Sequence, residues 1–163
     1  MGTKSEALAK QFEAKARDAM ATLEQLSEPD WKKVTAAEHW SVGVTAHHLA
    51  GALEPISGMI KAIVAGQQLS GFSLDMLDQM NAQHAKDYAN CTKAETIALL
   101  EKGAAEAAAT IRGLSDDQLA KSGTLLTDAP PMTAEQVITS GLLVHTDEHF
   151  GSIRKTVGHG TER

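Results

Sequence analysis

Histidine is the residue type through which this sequence is best placed to do chemistry. There are seven, at positions 39, 47, 48, 84, 145, 149 and 159. A neutral imidazole offers a lone pair to a metal ion, and its ordinary pKa lies close to neutral pH. His145 and His149 are four residues apart, so on a helix they sit one turn above the other on a single face. At about 100° per residue, that face also carries Ile138, Leu142, Ile153 and Val157, while Asp147 and Arg154 fall opposite. In an earlier helical stretch, Val44, Leu49, Ala52, Ile56, Met59, Ile60 and Ile63 form an apolar arc that includes His48. His47 points off the arc, toward the side of Glu54 and Lys61, and is expected in solvent. Three inward imidazoles from two helices match an open metal site, in which water or substrate completes the coordination. The same placement also fits core histidines satisfied by local hydrogen bonds, and spacing alone leaves both readings standing.

Other residues compete for a role. His145-Thr146-Asp147-Glu148-His149 reads H-x-x-E-H, the inverted zinc-peptidase pattern, in which a glutamate acts as general base. That enzyme type needs an acidic ligand well downstream, and only 14 residues follow His149. Glu148 stands at the edge of the apolar face, where it would flank the site as a surface residue or act on bound water. His84 falls on a shorter helix, either at the surface or lining a cavity, and His39 and His159 lie near loops. Cys91 has no cationic cluster beside it to stabilise a thiolate, so it is not expected to act as a nucleophile.

The elements that must position these residues are helical. Thr3…Glu6, Thr35…Glu38, Thr92…Glu95, Ser115…Gln118 and Thr133…Gln136 all fit the capping box, a helix-start signal. Apolar periodicity predicts long helices over Ser5–Leu26, Ser41–Ala65 with a kink at Pro55, Lys93–Arg112 and Ala134–Val157. Shorter pieces are expected over 74–89 and Ser115–Ala120, with an irregular connector over 30–40. Four long amphipathic helices make an all-α four-helix bundle with no sheet, and residues 1–163 form a single domain. No heptad is sustained and nothing repeats at a fixed period, which argues against a coiled coil and a solenoid.

Composition agrees: 42% of residues are hydrophobic, only 4% are aromatic, and the formal charge is −6. That balance lacks the basic patch that nucleic acid demands. No apolar run approaches the ~20 residues needed to cross a bilayer, and Met1–Glu6 has no secretory h-region. A lone cysteine excludes an intrachain disulfide. The expected setting is cytoplasmic, without nucleic-acid or membrane partners.

Two segments resemble a known family. Trp40-Ser41-Val42-Gly43…His48-Leu49 resembles the W-S-x(6)-H-L signature of DinB/YfiT-like metalloenzymes, and His145–Ile153 is similar to their H-x-x-x-H-x-G-Q-I signature. The resemblance implies an up-down-down-up four-helix bundle, often a homodimer, with one divalent ion on His48, His145 and His149. Zinc or nickel would suit imidazole ligands best, with iron also compatible. Family members of known activity are transferases and isomerases that use a low-molecular-weight thiol, which implies the same chemistry here on a small-molecule substrate. Hydrolysis by metal-bound water, or a non-catalytic metal-binding stress-response module, are the competing expectations. Phe150 and Ser152 stand where the family often has Arg and Gln. They are expected to tune the approach of the substrate.

Overall fold

The computed structural model describes residues 2–67, 69, 72–127 and 129–158, and His159 lies outside them. The helices are α1 (Thr3–Gln25), α2 (Glu28–Lys32), α3 (Val42–Val64), α4 (Leu74–Asp87), α5 (Lys93–Arg112), α6 (Asp116–Leu119) and α7 (Ala134–Val137). A π-helical segment, Ile138–Val144, then joins α7 to α8 (His145–Val157). The expected fourth helix thus exists as one rod with a π-wound middle, where His145 N–H bonds to the Ser140 carbonyl.

Directions follow from contacts at the helix ends. Arg112, at the end of α5, holds both Glu6 and Glu13 of α1, while Lys93, at its start, donates to the Leu26 carbonyl. Helices α1 and α5 are therefore antiparallel. Helix α3 runs parallel to α5. Near their N-termini the Trp31 indole donates to the Cys91 carbonyl and packs against Gly43, where a Cβ would fall 2.5 Å from the ring. Farther along, Lys61 pairs with Glu106. The rod α7–α8 runs parallel to α1, through Lys4–Glu135, Lys15–Asp147 and Arg154–Thr22. The result is the four-helix bundle in up-down-down-up order. Phe12, Leu23, Leu49, Leu53, Leu100, Ile111, Leu142, Phe150 and Ile153 close its centre, where burial of apolar surface supplies the main stabilisation.

Three of the five capping boxes start helices as expected: Thr92, Ser115 and Thr133 each accept a backbone N–H in the first turn. The other two do not. Helix α1 begins at Thr3 itself, and Thr35…Glu38 lies in a turn, with α3 capped by Ser41. The expectation of no sheet is also corrected. Ser122–Gly123 pairs antiparallel with Met132–Thr133, closing the loop that leads to α7. Helix α3 continues through Pro55, which stands inside it.

Candidate metal centre

The first two turns of α3 and the first turns of α8 face each other, and this brings His48, His145 and His149 together. One ring nitrogen from each lies within 4.8 Å of the others. The rings meet edge to face, with centroids 4.7 Å apart for His145–His149, 4.9 Å for His48–His149 and 5.5 Å for His48–His145. All three side chains are half-buried, so the cluster is held by the protein yet reachable. Trp40 packs against His48, with ring centroids 5.1 Å apart.

The hydrogen bonds of two rings decide their tautomers. His149 Nδ1 is 2.7 Å from Glu38 Oε2, and His145 Nδ1 is 3.2 Å from the Gly141 carbonyl oxygen. Both partners are acceptors, so each Nδ1 carries a proton, which leaves Nε2 as the ring atom available to a metal ion. A carboxylate or carbonyl behind a histidine is the usual support of a metal-ligating imidazole. Burial, reinforced by His149 and His145, pushes the His48 ring down to about 3. Burial and His149 also hold His145 below its ordinary value. Three imidazole nitrogens this close together fit a divalent transition-metal ion, which bonds such nitrogens at about 2.0–2.1 Å.

Glu38 is the residue that sequence reasoning missed. It comes from the loop between α2 and α3. That loop is closed by Thr35 N–H to the Trp40 carbonyl and turned by His39 in the left-handed region at φ 63°. His39, expected near a loop, therefore shapes the loop that presents Glu38. Burial alone would raise the Glu38 pKa, but hydrogen bonds from Ser152, Thr35 and His149 outweigh it and hold the carboxyl below its usual range. Ser152 donates to Oε1 at 2.7 Å. The serine therefore fixes the carboxylate that fixes His149.

Other expectations need correction. His47 does not face solvent: only 7% exposed, it stacks on Tyr88 with centroids 4.1 Å apart. Its Nδ1 lies 2.8 Å from Nε2 of His84. Helix α4 covers that side of α3, a contact that periodicity within α3 cannot report. His84 is accordingly part of the site's surroundings, 5.8 Å from His48 between ring centroids. Phe150 is sealed in the core at 1% exposure and cannot tune the approach of a substrate. Glu148 is exposed. Cys91 is buried, and burial pushes its thiol pKa up. Two surface concavities, of about 480 and 500 Å³, lie away from the histidines, one beside Trp31 and Cys91 and one between α1 and α5.

The histidine environments predict how stability depends on pH. His47, His48, His84 and His145 are all held below 6.5 in the folded chain, with burial the leading cause in each. The unfolded chain takes up these protons first as the pH falls, so the contribution is complete above about 6.5 and is lost on acidification. Metal-free protein should melt lower at pH 5 than at pH 7.5. At about 1.4 kcal/mol per pH unit, His48 alone accounts for a loss of about 2 kcal/mol. A flat melting temperature over that range in a thermal scan would contradict the burial of these rings.

Comparison with known proteins places these features. Residues 12–147, which include His48 and His145, match the family described as the mycothiol maleylpyruvate isomerase N-terminal domain. Among solved structures, YfiT from Bacillus subtilis is similar, with 16% identity and a TM-score of 0.75 over 98% of this chain and 91% of its own. It is described as a probable metal-dependent hydrolase with an unusual four-helix bundle topology. A protein from Clostridium difficile 630 is similar as well, with 15% identity and a TM-score of 0.75 over 95% of this chain and 96% of its own. No curated protein matches in sequence. Among the described residues no helix is long and apolar enough to cross a membrane. From the match over most of its length and the shared bundle topology, the chain belongs to the family of the mycothiol maleylpyruvate isomerase N-terminal domain, within the DinB/YfiT-like bundles.

Proposed function

We propose that this protein is a divalent-metal-dependent enzyme of small-molecule thiol chemistry, of the S-transferase or isomerase type. The carrying observation is the convergence of His48, His145 and His149, with two of the rings locked as Nδ1–H tautomers. When bound, a divalent cation would supply a Lewis acid that lowers the pKa of a thiol or of water. The chain's part is to present neutral donors and leave the cation's charge undiminished. Glu38 holds the His149 ring in place, the Gly141 carbonyl holds His145, and Trp40 packs against His48. The family's name carries the thiol half of the reading.

The test is a turnover assay with metal-loaded protein, low-molecular-weight thiols and a panel of electrophiles, run beside His145→Ala. Thiol-dependent turnover should appear in the parent and fall by at least 100-fold in the variant. Cys91→Ala should keep the activity, because that thiol is buried and held protonated. Equal turnover in parent and His145→Ala overturns the reading. Turnover that needs metal but no thiol moves it to hydrolysis.

A further inference from the structure

Helix α4 has no buried residue. Seven large hydrophobic side chains are exposed among the described residues, and four of them, Leu74, Met76, Leu77 and Met80, lie on this one helix. Those four are between 37% and 66% exposed, and Tyr88, which ends the helix, is a fifth. At about 100° per residue, Leu77, Met80 and Tyr88 fall within about 40° of His84, with Leu74 and Met76 about 80° to either side. The stripe is therefore the face of α4 by which His84 meets the His48 ring, at 5.8 Å between centroids. At 1.5 Å per residue, Met80 stands about 6 Å along the helix from His84 and Leu77 about 10 Å. One end of the stripe is seated at the histidine cluster, and the rest is open to solvent. The helix is fixed at both ends. The Thr127 N–H and hydroxyl donate to the Phe72 carbonyl just before it, and Tyr88 stacks on His47. Exposed apolar side chains gathered on a surface that is held in place mark a binding site.

Size and charge decide the occupant. Four side chains about half exposed present well under the ~800 Å² per partner that a stable protein–protein interface covers, so the stripe is too small for a second copy. Carboxylates act on the rings at its seated end: Glu38 on His48, Glu148 on His145, Glu95 on His47 and Asp87 on His84. They repel an anionic body, and the four stripe residues carry no charge. Two of the four are methionines, whose flexible thioethers adapt to bodies of differing shape. We propose that the α4 stripe binds the apolar body of the electrophile, an uncharged aromatic or long-chain aliphatic group about 10 Å long whose reacting end lies at the histidine cluster. The inference rests on the thiol reading above and adds the class of electrophile to it.

The test uses the double variant Leu77→Gln, Met80→Gln, with Val34→Gln as a control at an exposed apolar residue off α4. Glutamine matches leucine and methionine in helix propensity, so all three proteins should fold, which circular dichroism checks. The probe is Nile red, an uncharged apolar dye, titrated into zinc-loaded protein and followed by its emission. The parent should bind one dye per chain, the control within about twofold of it, and the double variant about tenfold more weakly. Cobalt(II) in place of zinc should quench the emission of bound dye by more than half, because transfer to the visible absorption of the metal acts only at short range. In the thiol assay the double variant should show a higher KM for monobromobimane, an uncharged electrophile, with kcat little changed. Equal dye affinity in parent and double variant overturns the proposal. So does bound dye that cobalt leaves unquenched, or a parent dimer that the double variant dissociates in sedimentation, which would give the stripe to a second copy. A parent that binds the dye as expected but shows no thiol-dependent turnover overturns the thiol reading, and with it the naming of the ligand as an electrophile. A chain that takes up neither ion overturns the metal reading itself, and this inference with it.

Discussion

Alanine at His48, His145 or His149 is expected to lower the affinity for a divalent ion by more than about 100-fold. Changes to supporting residues already reach that figure, and a lost ligand removes a bond outright. Alanine at His47 should leave the stoichiometry at one ion per chain. The contrast is informative because His47 and His48 are neighbours on α3 and differ in what they face. His48 meets His145 and His149, and His47 meets Tyr88 and His84. Elemental analysis of the four purified variants after dialysis is the measurement. Metal retained by His145→Ala or His149→Ala, or lost from His47→Ala alone, would mean that the three convergent nitrogens do not define the site.

The second large effect is expected at Glu38. Glu38→Ala should weaken metal binding by about 10–100-fold, since it frees the His149 ring and leaves its Nδ1–H without a partner in a partly buried setting, with side-chain exposures of 14% for His149 and 11% for Glu38. Ser152→Ala should cost less, because the carboxylate keeps its bonds to Thr35 and His149. Competition with a chromophoric chelator measures both. If Ser152→Ala proves as harmful as Glu38→Ala, the serine does more than hold the carboxylate.

The triad was legible in the sequence because each of its helices reports its own apolar face. His145 and His149 stand on the uninterrupted α-turns of α8, where four residues is one turn, and His48 sits among the apolar residues of α3. What was not legible depends on partners outside the helix being read. His47 was assigned to solvent because nothing in α3 says that α4 will lie across it. Glu38 is separated from His149 by 111 residues, and Thr35…Glu38 mimics a helix start. The clue against a helix there was that Trp40-Ser41 follows at once, with Ser41 a competent cap of its own. Phe150 was placed near the substrate by comparison with a family pattern, and helical phase would have put it with Ile153 and Leu142 in the core. The Ser122–Gly123 pairing with Met132–Thr133 is too short to leave a period.

The π-wound stretch Ile138–Val144 makes the length of the last rod as consequential as its composition. A π-turn holds more residues than an α-turn, so rewinding this stretch as α with every residue kept would over-rotate everything beyond it by roughly one residue's step, about 100°, relative to α7. That single rotation would carry His145 and His149 away from His48 and, in the same movement, take Phe150 and Ile153 out of the core. Winding and length are therefore coupled here: losing one residue together with the π-winding leaves the phase nearly unchanged, whereas losing either alone shifts it. The geometry of the histidine cluster and the packing of the bundle therefore share one setting, the winding of Ile138–Val144.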